Sequence, residues 1–142
     1  MKSYHDTCAA LIKQINDGLE RGANNVLREE DLTIMQVAVM IELDHGESET
    51  RSLKELEHRF GVAQPTMLGI VRRLELKGFL ETFQSPEDKR VKLVRLTDEG
   101  KRKCGVGYAN METAEQSLLS ALSAEEQELF RDMLVRVKAS LK

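Results

Sequence analysis

The sequence predicts a mainly α-helical fold of the α+β class, in which one short β-hairpin lies among helices. Residues 52–76 form two short amphipathic segments that are separated by Gly61-Val62. Residues 79–96 form two strand-like runs joined by a charged loop. Apolar residues at helical spacing flank this core, at 3–25 and 98–142. The order of helix, tight turn, helix and hairpin predicts a winged helix-turn-helix, a module that binds DNA, with terminal helices that form a dimerisation region.

The length of 142 residues suits one domain, predicted to span 1–142 with the winged helix-turn-helix at 32–97. Charged residues make up 32% and hydrophobic residues 41%, which is typical of a soluble globular chain. The net charge is −3, but residues 52–103 hold 12 Lys and Arg against 8 Asp and Glu, a local net charge of +4. Positive charge is therefore concentrated where phosphates would lie.

Several function classes find no support in the sequence. A phosphate-binding loop, a nucleophile elbow and paired catalytic carboxylates are all missing, so we expect no enzyme. The histidines lack metal-ligand spacing and the two cysteines do not make a disulfide framework, so no metal and no cofactor are expected. With no signal peptide and no long apolar run, we expect a cytoplasmic protein that does not enter a membrane.

The first helix of the core is predicted to begin at Ser52, which forms a capping box with Glu55. Its apolar face is Leu53, Leu56 and Phe60, and Gly61 suits the left-handed backbone that ends a helix. Pro65 is then placed at the start of the second helix, where a missing N–H is tolerated.

The second helix is predicted to face the core with Met67, Ile70, Val71 and Leu74, and to present its other side to the DNA major groove. Gln64 can pair with adenine and Leu68 can contact a thymine methyl. Arginines here could instead contact phosphate, brace the domain or simply cover a solvated surface. The predicted DNA-binding residues of this helix are Gln64, Pro65, Thr66, Leu68, Arg72 and Arg73.

The loop between the two strands, residues 85–90, has a basic tip formed by Lys89 and Arg90. An arginine at such a tip can enter the narrow minor groove, and Asp88 is placed to orient it. We therefore predict that Asp88, Lys89 and Arg90 belong to the DNA interface. The alternative is that this charged tip is ordinary protein surface.

The flanking segments predict four further helices. The first spans 3–25 and the second 33–45, which begins with a capping box of Thr33 and Gln36. The third runs from Thr97 to about Ala121, and the last follows a capping box at Ser123. The basic run at 101–103, in the helix that begins at Thr97, suits either phosphate contacts or solvation. Long apolar faces on the first and last helices indicate a homodimer interface.

These motifs resemble the MarR family of bacterial transcription regulators over nearly the whole chain. The matching residues are Leu32-Thr33-x-x-Gln36, Leu53-x-x-Leu56 with Gly61-Val62, Arg73-Leu74 with Lys77-Gly78, and Asp88-x-Arg90 followed by Leu96-Thr97-x-x-Gly100. The resemblance implies a homodimer on a pseudo-palindromic double-stranded operator, with Arg90 in the minor groove. It also implies a repressor that is released by an effector, such as a small molecule bound between the winged module and the dimer helices.

Three positions depart from the family pattern. Ala63 replaces a common capping serine, and Leu68 and Gly69 replace polar and basic residues. These departures motivate an alternative function, a protein-interaction adaptor that kept the fold and lost specific DNA binding.

Cys8 is a candidate redox sensor, because peroxide-sensing members of this family carry a cysteine on the first helix. The tyrosines expected to support such a thiolate are missing from the second helix, so Cys8 is otherwise interpreted as a small buried apolar residue.

Overall fold

The computed structural model describes residues 3–141 and has six α-helices and one antiparallel sheet within that range. Two single 3₁₀ turns, Tyr4–Asp6 and Glu47–Glu49, precede the first helix and the first strand. The elements in chain order are α1 (Cys8–Arg28), α2 (Ile34–Asp44), β1 (Thr50–Ser52), α3 (Leu53–Phe60), α4 (Gln64–Leu76), β2 (Leu80–Gln84), β3 (Lys92–Leu96), α5 (Asp98–Leu119) and α6 (Ala124–Ser140).

Three of the helices begin with the capping boxes that the sequence predicts. In α3 the Ser52 hydroxyl accepts from the N–H of Glu55, whose carboxylate accepts from the Ser52 N–H, at 3.0 and 3.1 Å. The same reciprocal pair is present before α2 and before α6. Each box satisfies two backbone donors that the first turn leaves without helical partners, so local sequence defines these starts.

The turn between α3 and α4 also matches its prediction. Gly61 adopts φ +61°, and the Val62 N–H donates to the Glu57 carbonyl at 3.2 Å. A residue with a side chain would be strained in this left-handed conformation. Ala63 is the N-cap of α4 and provides no side-chain hydrogen bond, so this start relies on Pro65 and on packing.

The sheet has one more strand than the sequence predicted. Its order is β1-β3-β2, and both neighbours run antiparallel to β3, with Arg51 opposite Val94 and Thr82 opposite Val94 on the other side. The two strand-like runs predicted within residues 79–96 correspond to β2 and β3, and no strand was predicted before α3. A three-residue strand has too little periodicity to detect, and β1 forms only because β3 offers a free edge.

The first helix differs from its prediction at both ends, since α1 covers Cys8–Arg28 rather than 3–25. Thr7 caps it by accepting from the Ala10 N–H at 3.2 Å. The Gly-Ala-Asn-Asn stretch at 22–25 does not end the helix, because Ala23 within it and Leu27 after it are buried in the core. Tertiary packing therefore overrides weak local helix propensity.

The hydrophobic core lies between α2, the two helices of the helix-turn-helix and the sheet. Its fully buried side chains include Leu43, Leu56, Met67, Leu74 and Val94. In contrast, α6 buries no residue within the chain. Within residues 3–141, none of the helices combines the length and the apolar composition that a membrane span needs.

The Leu-Thr-x-x-Gly segment joins the sheet to α5 through close backbone contacts. The Thr97 N–H donates to the Phe79 carbonyl at 3.0 Å, and the Thr97 hydroxyl donates to the Gly78 carbonyl at 2.6 Å. That hydroxyl also accepts from the Gly100 N–H at 3.1 Å. A Cβ atom at Gly100 would collide with the Phe79 carbonyl, so glycine is required there by contact rather than by a special backbone angle.

We predict that Gly100→Ala destabilises the fold by about 1–3 kcal/mol, because the backbone of Phe79 must move to admit the methyl group. Gly105→Ala on the same helix is the control, since a Cβ there meets nothing within 4 Å. The control should leave stability unchanged or raise it by up to about 1 kcal/mol. Chemical denaturation of both variants measures the difference, and equal stabilities would contradict the steric argument.

Candidate nucleic-acid interface

One cleft of about 620 Å³ lies between the start of α3, the first half of α4 and the wing. It brings together four of the residues that the sequence predicted to bind DNA, and these come from two separate segments. The lining residues are Ser52, Leu53, Lys54, Glu57, Gln64, Leu68, Asp88, Arg90, Val91 and Lys92.

The cleft contains two lysines that the sequence analysis did not select. Lys54 begins the first turn of α3, and Lys92 begins the return strand of the wing. Both side chains are exposed, and no carboxylate among residues 3–141 lies within 4 Å of either ammonium group. The only sequence signal for them was their share of the local positive charge.

Other basic residues of the winged segment are already paired with carboxylates. Arg59 binds Glu42 at 2.8 Å and Arg95 binds Glu81 at 2.5 Å. The basic run at 101–103 is also paired in full, with Glu49, Glu99 and Glu30 in that order. These contacts favour a bracing role for that run, and the unpaired cations of the winged segment lie on α3, α4 and the wing.

The wing tip has the geometry that the sequence predicted for Asp88 and Arg90. The Asp88 carboxylate accepts from Nε and from a terminal nitrogen of Arg90, each at 3.1 Å, and from the Arg90 N–H at 3.0 Å. These bonds with Arg90 hold the pKa of Asp88 below its usual value. The Arg90 side chain is nevertheless 91% exposed, so it is oriented without being covered.

Most of the predicted contact residues of α4 are exposed. Gln64, Pro65, Thr66 and Arg72 are exposed, and Lys89 is exposed at the wing tip. Leu68 lines the same cleft, where its side chain is half-buried and packs partly against the core. Leu68 can therefore offer only one edge of its side chain to a ligand in the cleft.

A carboxylate that the sequence analysis missed connects α4 to the wing. Glu75 Oε2 accepts from the Thr82 N–H at 3.1 Å and from the Thr82 hydroxyl at 2.9 Å. Both groups are partly buried, where such charge-assisted bonds are stronger than in water. The contact fixes β2, and with it Arg90, relative to the helix that carries Gln64.

Arg73 lies apart from the other predicted residues, in a second cleft of about 670 Å³ on the opposite side of α4. Lys77 also lines this cleft, where its ammonium group donates to the Asp31 carbonyl and to Gln36 Oε1, the latter at 3.2 Å. These bonds favour a bracing role for Lys77. Leu76 beside them is 89% exposed, as expected for the outer face of α4.

A third, mostly apolar groove of about 430 Å³ lies between α1, α2 and α5. Leu27, Val37 and Ile41 lie at its base, and Met111 and Leu118 form its side on α5. It matches the predicted place for an effector, between the winged module and the helices expected to form a dimer.

The sequence profile of the MarR family matches residues 32–92. The HTH-type transcriptional regulator YdcH of Bacillus subtilis is 32% identical over 121 residues, which cover 82% of this chain and 80% of that protein. The chain belongs to the MarR family. It spans about half of another relative, YdgJ of Bacillus subtilis, with 30% identity over 63% of this chain and 55% of that protein.

Solved structures agree with this assignment. A Cys-to-Ser mutant of MarR from Escherichia coli, complexed with operator DNA, superposes with a TM-score of 0.84 at 25% identity and covers 96% of this chain and 99% of that one. PcaV from Streptomyces coelicolor, in complex with its natural ligand, superposes with a TM-score of 0.84 at 25% identity. The match covers 100% of this chain and 99% of that one. The winged helix-turn-helix predicted from sequence is therefore confirmed as a MarR-type fold.

The two thiols of this MarR-family chain lie in different environments. Cys8 is exposed at the first position of α1, so the interpretation as a small buried residue is wrong for the single chain. Cys104 is buried, its thiol lies 3.6 Å from the Met40 carbonyl, and burial raises its pKa to about 11. No group of metal-ligating side chains is assembled within residues 3–141.

We predict that a disulfide reagent at pH 8 modifies Cys8 at least about 100-fold faster than Cys104. With a pKa of about 11, roughly one thiol in a thousand is ionised at Cys104, and the core excludes the reagent. Absorbance should show one fast and one slow thiol, and Cys8→Ser should remove only the fast phase. A fast phase that survives in Cys8→Ser would contradict the burial of Cys104.

Proposed function

We propose that the protein is a cytoplasmic, non-enzymatic transcription repressor that binds a pseudo-palindromic operator as a homodimer. The observation that carries this proposal is the first cleft, where the exposed start of α4 meets an arginine that Asp88 holds at the wing tip. Membership of the MarR family, and the similar MarR structure bound to operator DNA, support it.

In this proposal α4 lies in the major groove, which is wide enough to admit a helix. Gln64 and one edge of Leu68 contact bases, while Pro65, Thr66 and Arg72 line the approach. Arg90 enters the adjacent minor groove with Lys89 beside it, where a narrow groove attracts arginine. Lys54 and Lys92 then contact the phosphates between the two grooves, because neither is neutralised by a carboxylate of the described chain.

The homodimer is proposed from apolar surface that the single chain leaves in water. Leu11, Ile12 and Ile15 of α1 are each more than 40% exposed, although they share one helix face. On α6 the exposed apolar residues include Leu129, Met133, Leu134, Val137 and Leu141. Apolar faces of this extent on two helices are typical of an interface, and a two-fold dimer would present two copies of α4 to two half-sites.

An effector is proposed to bind the apolar groove between α1, α2 and α5, and to weaken operator binding. The groove joins elements of the proposed dimer region to α2, which packs against α4 and the sheet. A ligand that prefers one arrangement of these helices would shift the population of the DNA-binding state. The similar PcaV structure contains its natural ligand, which supports a ligand-responsive regulator.

The decisive experiment is selection of bound fragments from a genomic library with purified protein at two salt concentrations. We expect one enriched palindrome whose half-sites lie about one helical turn apart, with affinity that falls as salt rises. If only weak binding without an enriched site is found, specific recognition has been lost and the adaptor alternative takes its place.

We predict that Arg90→Ala weakens operator binding by about 1–3 kcal/mol, because a minor-groove contact is lost. Arg95→Ala in the same wing is the matched control. Arg95 is held by Glu81 at 2.5 Å and lies 4.6 Å from the Phe83 ring centre, so it is expected to serve the sheet. Titration of the selected operator measures both variants. Equal affinities for the two variants would remove Arg90 from the interface.

We predict that Met133→Glu converts the dimer to a monomer at micromolar concentration, because it places a charge in the apolar stripe of α6. Ala139→Glu is the control, since Ala139 lies on the opposite side of that helix at 100° per residue. Sedimentation velocity gives the mass of each variant. A dimeric Met133→Glu protein would move the interface away from this face of α6.

A further inference from the structure

The second cleft has no part in the contacts proposed so far. It lies between the end of α1, the start of α2 and the end of α4, and its volume is about 670 Å³. Its lining residues are Arg28, Asp31, Leu32, Thr33, Gln36, Arg73, Leu76 and Lys77.

The lining of this cleft is cationic. Arg28 and Arg73 are exposed, and within residues 3–141 no carboxylate lies within 4 Å of either guanidinium group. The one acid in the lining, Asp31, lies 3.6 Å from the ammonium group of Lys77, which partly neutralises it. Two arginines therefore remain to bind an anion.

The position of the cleft on α4 suggests which anion. At 100° per residue, Leu76 lies at the centre of the outer face, and Gln64 and Leu68 lie to one side of it, next to the wing. Arg73 and Lys77 lie to the other side, in the second cleft. A helix in the major groove has a sugar–phosphate backbone on each side, and here each side of the helix has a cationic cleft.

We propose that the second cleft receives the backbone of the DNA strand opposite to the one contacted by Lys54 and Lys92. In this arrangement Arg28 and Arg73 bind its phosphates, so that the end of α1 belongs to the DNA interface. This inference rests on the proposed operator binding by α4 and extends it to an element outside the helix-turn-helix and the wing.

The shape of the cleft favours a polymer phosphate over a small anionic ligand. Small-molecule sites bury most of the ligand surface, whereas both arginines here are exposed and Leu76 stands in solvent at the rim. An open, charged surface beside the recognition helix is suited to a backbone that passes along it.

The test compares Arg28→Ala with Arg21→Ala on the selected operator, over a series of salt concentrations. Arg21 is exposed on the same helix, two turns before Arg28 and outside the cleft, so both variants lose one positive charge. Arg28→Ala should lower affinity by about 3- to 10-fold and reduce the salt slope by about 1, while Arg21→Ala should change neither. Arg28→Lys should retain most of the affinity, because an ammonium group also binds phosphate.

Ethylation interference then identifies the phosphate. One phosphate in each half-site, on the strand opposite to those affected by Lys54→Ala, should block wild-type binding when it is ethylated and should no longer matter to Arg28→Ala. A mere loss of fold stability would not remove interference at a single phosphate. Identical interference patterns for Arg28→Ala and the wild-type protein would overturn the inference.

Two further outcomes also overturn it. If Arg28→Ala binds the operator as tightly as Arg21→Ala but loses saturable binding of benzoate, used as a probe carboxylate, the cleft is a small-anion site. If Arg28→Ala and Arg21→Ala weaken binding equally, only net charge matters. Failure of the proposed function is separate, because the wild-type protein would then show no enriched operator at all.

Discussion

The arrangement of the molecule depends on the burial of one face of α4. Met67, Val71 and Leu74 are fully buried and Ile70 nearly so, which at about 1.5–3 kcal/mol for each side chain is the main force that fixes this helix. Because the apolar face is held so firmly, the opposite side can remain exposed and polar. The same packing places the first cleft and the second cleft on the two sides of α4.

Polar contacts then fix what burial alone leaves free, the position of α4 relative to its neighbours. Near its end, Glu75 holds β2 through Thr82, while Lys77 holds the loop after α1 through Asp31 and holds α2 through Gln36. A helix that is anchored toward both the wing and α1 would transmit a shift of either one. This gives a physical route by which a ligand between α1, α2 and α5 would alter the spacing of the groups proposed to contact DNA.

The parts of the fold that sequence could predict are those set by local chemistry. Capping boxes at Thr33, Ser52 and Ser123, the left-handed Gly61 and the Asp88–Arg90 pair each involve residues a few positions apart. What sequence could not supply depends on distant partners. Strand β1 exists because β3 is beside it, and α1 continues past Asn25 because the core accepts Leu27. That Arg73 shares a cleft with Arg28 likewise depends on how α1 and α2 pack beside α4, which no short motif records.

The start of α4 lacks a capping side chain, because Ala63 occupies the N-cap position. A side-chain cap at a helix start is worth about 1 kcal/mol, and Ala63 provides none. Pro65 removes one donor that would otherwise need a partner, and the Thr66 and Met67 N–H groups both donate to the Ala63 carbonyl at 3.1 Å. Burial of Met67 one turn into the helix exceeds the lost cap in magnitude. The start of α4 is therefore held without a capping hydroxyl, so the departure at Ala63 does not prevent the helix from forming.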